Sequence, residues 1–174
     1  MFINVSEYIS TPLKSKTYEV PLDMQYYDHQ GTKYPFKDQG VLKLTVSNSG
    51  NRTILLKGEW QGSLVVPCDR CLKDVIVPFD VVIDREVDFT KIQDDTFDDD
   101  SSSYIVDNSI DTDALINHEI LIHFPMKILC REDCKGICLK CGKDLNLGEC
   151  GCDRKVLDPR MAAIQDIFKN FKEV

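Results

Sequence analysis

The sequence predicts an α+β protein: an antiparallel β meander or partial barrel, followed by C-terminal helices and a small cysteine-rich lobe. Three observations predict it. Between residues 41 and 87, β-branched and aromatic residues recur in short runs separated by turn residues. Beyond residue 111 the apolar positions recur at helical spacing instead. Six of the eight cysteines fall between Cys130 and Cys152, a density that reads as a metal cage.

Phe2–Val5 and Tyr18–Leu22 read as short opening strands. Val41–Val46 and Thr53–Leu56 flank Asn48-Ser-Gly-Asn51, a glycine-containing turn between two β-rich runs and hence a hairpin. Trp60–Val66 and Val75–Val87 continue the series, and turns this short favour an antiparallel meander that curls toward a barrel. Residues 1–92 make up this β-rich domain, with Cys68 and Cys71 at a hairpin tip. Residues 93–103, rich in aspartate and serine, are too acidic and too poor in aliphatic side chains to pack, and are expected to form a mobile loop. They lack the D-x-D-x-D-G pattern and the glycine of a calcium loop.

Residues 104–174 are expected to pack as part of the same fold: a helix, the lobe at 130–152 and a final helix. Asp111-Thr-Asp113 caps a helix with Ala114, Ile116, Ile120, Leu121 and Phe124 as apolar positions and Pro125 as its stop. His118 and His123 lie five residues apart, not at the i, i+4 spacing of two ligands on one face, and read as surface or satisfied histidines. Asp158-Pro159-Arg160 opens the second helix, with Met161, Ile164, Ile167, Phe168 and Phe171 at helical spacing.

A chain of 174 residues buries a real core without staples, so the cysteines are local equipment. Net charge is −8, unevenly spread: −2 over residues 1–89, −8 over 90–125 and +2 over 126–174. No apolar run approaches the roughly 20 residues that span a bilayer, so a soluble protein without membrane contact is expected. The first residues, Met1-Phe2-Ile3-Asn4-Val5, have neither a basic nor a long apolar signal region, which points to a reducing, cytoplasmic compartment and against disulfides. No phosphate-cradling glycine loop, nucleophile elbow, H-E-x-x-H or dinucleotide fingerprint occurs, and no enzyme activity is expected.

In Cys138-Leu-Lys-Cys141-Gly142 two thiolates three residues apart can grip one ion while backbone N–H groups point at the sulfurs, and Gly142 permits the reversal. Zinc is the natural occupant, although iron–sulfur clusters use the same all-cysteine ligands. Cys68-Asp-Arg-Cys71 either completes a site with Cys138 and Cys141, as the two arms of a zinc ribbon do, or stands alone as a dithiol. A redox Cys-x-x-Cys opens a helix after a strand, whereas β pattern flanks this one on both sides.

Cys68-Asp-Arg-Cys71-Leu72, then Cys134-Lys-Gly-Ile-Cys138-Leu-Lys-Cys141-Gly142 with Asp144-Leu-Asn146, then Cys150-Gly-Cys152, then Asp158-Pro-Arg160 occur in this order. With the opening Ile3-Asn4-Val5-Ser6 they resemble the bacterial YceD family, described as large ribosomal RNA subunit accumulation proteins. The resemblance implies a non-enzymatic role in synthesis, processing or stability of large-subunit ribosomal RNA in the bacterial cytoplasm. Its partners would be that RNA or ribosome-assembly proteins. Members that keep the hairpin Cys-x-x-Cys but lack the C-terminal cluster imply that the two sets need not share one metal. Four of Cys134, Cys138, Cys141, Cys150 and Cys152 would then form a self-contained structural zinc site, with Cys130 as alternate and Cys68 and Cys71 as a second site or dithiol.

Zinc in isolated zinc-finger peptides contributes roughly 10–16 kcal/mol, so such a lobe folds with its metal, and four sulfur ligands leave no open position for water. The lobe and its C-terminal flank would display Lys127, Arg131 and the RNA-binding candidates Lys135, Lys140, Lys143, Arg154, Lys155 and Arg160. Six acidic residues are interleaved with them, and Phe168 and Phe171 are the only aromatics in the last fifty residues, so base stacking has poor candidates. RNA contact and protein contact both stay open at this level, as do a zinc-ribbon adaptor and a dithiol oxidoreductase.

Overall fold

The computed structural model describes residues 1–11, 13–90 and 103–153. The larger of its two sheets is built by strict alternation of apolar and polar residues. Strand β5 (Val41–Gly50) turns Leu42, Leu44, Val46 and Asn48 inward, β6 (Thr53–Pro67) turns Ile54, Leu56, Trp60, Leu64 and Val66 inward, and β7 (Asp74–Asp88) turns Phe79, Val81, Ile83 and Val87 inward. With β2 (Ser15–Pro21), β3 (Tyr26–His29) and β4 (Thr32–Asp38) they form an antiparallel sheet of order β2-β5-β6-β4-β3, with β7 also paired to β6. β6 is the spine: β7 pairs along its whole length, and on the opposite side β5 pairs with residues 53–59 and β4 with residues 63–64. The strand order is open and does not close into a barrel.

Two expected strands, Thr53–Leu56 and Trp60–Val66, are one. Lys57 and Glu59 fall on the outward parity of β6, so the charged interruption at Lys57-Gly58-Glu59 leaves the inward row unbroken. The β3–β4 hairpin is an addition to the expected elements. It turns on Gln30-Gly31, both with positive φ, as a two-residue hairpin loop requires. The signal was present: Tyr26, Tyr27, Tyr34 and Phe36 flank a glycine-containing pair.

A second sheet, order β1-β9-β8, joins β1 (Phe2–Asn4) to β9 (Ser109–Asp111) and β8 (Ile105–Val106). A short helix α1 (Ser6–Ser10) follows β1, its Tyr8 carbonyl and that of Thr11 receiving the amide of the buried Asn48. Helix α2 (Thr112–His123) starts where expected, with the Asp111 carboxylate accepting the N–H groups of Asp113 and Ala114. Leu115, Ile116 and Ile120 face the sheet, and Leu121, expected among the apolar positions, is exposed. Arg85 of β7 and the buried Glu119 of α2 form an ion pair with two contacts of 2.9 Å, fixing helix to sheet. No helix among the described residues is long and apolar enough to cross a membrane. The expected acidic loop, apart from Ser103, and the final helix with Arg154, Lys155 and Arg160 lie outside the described residues.

Candidate metal centre

Two distant segments of the chain fold into the same small turn. At the tip of the β6–β7 hairpin the Cys68 N–H donates to the Lys73 carbonyl at 2.8 Å, and the Leu72 N–H returns to the Cys68 carbonyl at 2.9 Å. In the lobe the Cys138 N–H donates to the Lys143 carbonyl at 2.9 Å, and the Gly142 N–H to the Cys138 carbonyl at 2.8 Å. The residue after the second cysteine is left-handed in both, with φ of 60° at Leu72 and 72° at Gly142, a conformation glycine adopts freely and leucine only at a steric cost. The sulfur of the first cysteine receives matching backbone N–H groups, from Arg70 and Cys71 at Cys68 and from Lys140 and Cys141 at Cys138. This is one thiolate-holding knuckle, made twice.

Each knuckle supplies half of a four-sulfur set. Cys68 and Cys71 meet Cys130 and Cys134, with Sγ–Sγ distances of 3.9 Å for Cys68–Cys134 and 3.5 Å for Cys71–Cys130. Cys138 and Cys141 meet Cys150 and Cys152, and within each set all four sulfurs lie within 4.8 Å of one another. All eight cysteines are free thiols. A tetrahedral ion with metal–sulfur bonds of about 2.3 Å spaces its ligands about 3.8 Å apart, so both sets have the size of a four-thiolate cage.

The electrostatics also fit an ion. Burial pushes the Cys68 thiol up, but the N–H groups of Arg70, Cys130 and Cys71, with the Cys71 thiol, outweigh it and bring the pKa down to about 6. At Cys138 the N–H groups of Cys141 and Lys140, then the Cys150 thiol, bring it down to about 6. Other thiols of each set move the other way: Cys130 is pushed up to about 12 by the Cys71 thiol and burial, Cys71 is also raised, and Cys152 is pushed up to about 12 by the Cys141 and Cys150 thiols. Four crowded thiols resist full ionisation, and a dication among them removes that resistance.

The first set is a clasp between hairpin and lobe. Asp69 donates its N–H to the Ile128 carbonyl at 2.9 Å, and its carboxylate accepts the Ile128 N–H at 2.7 Å. Arg70 bonds the lobe through its guanidinium, Nη1 to the Cys134 carbonyl at 2.6 Å, and through its own carbonyl, which accepts the Ile137 N–H at 3.0 Å. Gly136, with φ of 79°, sits so close that a Cβ there would lie 2.9 Å from the Arg70 carbonyl oxygen. Lys73 reaches Asp144 at 2.7 Å and, with the Asn146 N–H, holds the Asp144 carboxyl down to about 2. Asn146, which lies between Cys141 and Cys150 in the chain, bonds the Cys130–Cys134 segment. Its Oδ1 accepts the Lys135 N–H at 2.8 Å and an Arg131 N–H at 2.8 Å, while its Nδ2 donates to the Cys134 sulfur at 3.5 Å.

The structure gathers the expected cysteines into two sets, one made of four of the five named for a self-contained site and a second that contains Cys68 and Cys71. Cys138, Cys141, Cys150 and Cys152 lie together, whereas Cys134 leaves that group and joins Cys130, Cys68 and Cys71. Cys68 and Cys71 neither complete a ribbon with Cys138 and Cys141 nor stand as an isolated dithiol. The reason is tertiary: the segment after α2 is bonded to the hairpin tip through Asp69, and this delivers Cys130 and Cys134 to the first knuckle. A pairing of Cys-x-x-Cys with Cys-x-x-x-Cys at long range was the one sequence signal for it. Lys135, Lys140 and Lys143 are exposed, and Lys143 donates to the Glu149 carbonyl at 2.9 Å.

The family model described as large ribosomal RNA subunit accumulation protein YceD matches residues 56–168, which include all eight cysteines. The chain belongs to the YceD family. Among similar proteins are the uncharacterized protein YlbN of Bacillus subtilis, 33% identical over 113 residues (64% of each chain). An uncharacterized protein of Mycobacterium leprae is 29% identical over 124 residues, covering 69% of this chain and 55% of the relative. One of Mycobacterium tuberculosis is 30% identical over 135 residues, covering 75% of this chain and 64% of the relative. The chain thus spans less than two thirds of the length of these relatives. No solved structure matches it. In this YceD-family chain the match contains both knuckles and both four-sulfur sets.

Protons compete with metal for the thiolates. With folded pKa values depressed from the ordinary 9.0, the thiolates of Cys68 and Cys138 favour the folded lobe fully above pH 9, and this contribution is lost as pH falls through about 6. A metal ion held by these thiolates is accordingly expected to be lost as pH falls through the acid range, measured with a metal indicator dye during an acid titration. Retention of metal at a pH far below about 6 would contradict thiolate ligation.

Proposed function

We propose that this chain is a non-catalytic factor for the synthesis, processing or stability of large-subunit ribosomal RNA in the bacterial cytoplasm, with structural zinc in both four-cysteine sets. The observation that carries the reading is the family match over residues 56–168, the span that contains the whole metal centre. Zinc is favoured because all-thiolate tetrahedral sets of this size suit it. Sulfur at every ligand position leaves no place for a reactive water, which supports a binding role over hydrolysis.

Of RNA and protein, the lobe's own charge supports protein as the direct contact. Residues 126–153 carry five basic side chains, Lys127, Arg131, Lys135, Lys140 and Lys143, against the acidic Glu132, Asp133, Asp144, Glu149 and Asp153. Each filled four-thiolate set adds a further net negative charge. Phosphate binding needs the opposite balance.

The test is the ratio of large- to small-subunit ribosomal RNA in cells deleted for the gene. A lowered ratio restored by the wild-type gene, but not by Cys68→Ser, is the expected result. An unchanged ratio would overturn the reading.

A further inference from the structure

Strand β7 has an open edge. Its 15 residues pair with β6 on one side, and no strand among the described residues pairs with the other. Hydrogen bonds just beyond its two ends fix which backbone groups face that open side. The Cys68 N–H reaches the Lys73 carbonyl at 2.8 Å, and the Phe89 N–H reaches the Arg52 carbonyl at 3.1 Å. Both pairs continue the β6–β7 register, and each puts an odd-numbered residue flanking β7 in a bonded pair. Bonded and non-bonded pairs alternate along an antiparallel ladder, so the even-numbered residues of β7 direct their N–H and C=O groups away from β6. Pro78, which has no N–H, falls on this parity, where it costs the β6–β7 ladder nothing.

Beyond Pro78, the backbone groups of Asp80, Val82, Asp84 and Glu86 face the open side in succession. Their side chains share the outer face of the sheet and are exposed, Val82 at 74%. Asp80 accepts from the Gln61 amide at 3.3 Å and Asp84 lies 3.6 Å from Lys57, both on β6, so the carboxylates stay in solvent along the strand. No even-numbered residue of β7 is basic.

An unpaired edge is a template for another strand, and folded proteins guard it with proline or charge. Pro78 guards one stretch here. The acids guard the rest against a second copy, because two segments 80–86 paired about their centre set Asp80 opposite Glu86 twice. The same charges repel nucleic-acid phosphates. They admit an extended basic chain, whose backbone adds a ladder and whose alternate side chains meet the carboxylates.

We propose that β7 takes up an extended basic polypeptide as an added antiparallel strand along Asp80–Glu86, with lysine or arginine at alternate positions facing Asp80, Asp84 and Glu86. The edge segment holds no cysteine, and peptide binding and ribosomal RNA levels fail or hold independently.

The test is fluorescence anisotropy of the intact chain with a fluorescein-labelled peptide of about ten residues, alternating lysine and threonine, the length of a typical strand. In the proposed pairing the lysine N–H groups face β7 and the threonine N–H groups face away. Methylating the lysine backbone nitrogens is therefore expected to weaken binding about tenfold or more, and methylating the threonine nitrogens to leave it unchanged. Val82→Pro removes an edge donor on the parity that already holds Pro78 and is expected to weaken binding about tenfold. Asp80→Asn with Glu86→Gln is expected to weaken it about fivefold. The methylated peptides act on the wild-type chain and decide the matter if Val82→Pro fails to fold. Equal affinity of the two methylated peptides would reduce the effect to diffuse attraction and overturn the proposal. So would no binding of the unmodified peptide.

Discussion

Cys68→Ser is expected to lower the proposed zinc content of the chain from two ions to one and to free the lobe from the hairpin tip, whereas Cys138→Ser with Cys141→Ser is expected to remove one ion and leave the lobe docked. The two losses differ because the sets differ in reach. Cys68 and Cys71 are joined to Cys130 and Cys134 across about sixty residues of chain, while Cys138, Cys141, Cys150 and Cys152 are local. Closing the long connection gains more from a cross-link than closing the short one. The first set is also the drier: Cys68, Cys71 and Cys134 are buried, and Val75, Leu129 and Ile137 pack against them. In the second only Cys138 is buried. Elemental mass spectrometry counts the ions, and limited proteolysis between residues 124 and 130 reports release. One ion in the wild type, or equal proteolysis of the two variants, would contradict the division into clasp and local site.

Arg85→Ala is expected to destabilise the fold by about 2–3 kcal/mol through the docking of α2. Glu119 is 1% exposed, so removing its partner strands a carboxylate in the interface between α2 and β7. The figure sits at the low end for buried pairs because the Arg85 side chain is itself 36% exposed and partly screened by water. His123 lies 3.9 Å from the other Glu119 oxygen and compensates only when protonated. The double variant Arg85→Met, Glu119→Leu should recover most of the loss, since well-packed apolar residues replace an ion pair at little cost. Urea unfolding of the four proteins in the cycle measures this. Additive losses would mean that the pair is not coupled.

These two expectations draw on different layers of information. The strands β5, β6 and β7 were legible because a half-buried strand writes its burial into alternate residues, and α2 because its cap and its proline stop are local. The β3–β4 hairpin lies outside the expected strands although its Gln30-Gly31 turn and flanking aromatics carry a hairpin signal, because the run is short and interrupted by polar residues. The Arg85–Glu119 pair could not be read from either residue, because charged side chains at helix and strand positions are ordinarily solvated.

The cysteines mark the division most clearly. The sequence alone determined that this is an α+β chain with thiolate knuckles at Cys68–Cys71 and Cys138–Cys141, because a knuckle needs only its own few residues and their backbone N–H groups. Which half-sites combine was decided by tertiary structure alone. A tetrahedral ion accepts any four thiolates within about 4 Å of one another and is indifferent to their order in the chain. Asp69, Arg70 and the close approach of Gly136 choose that company by seating the lobe on the hairpin.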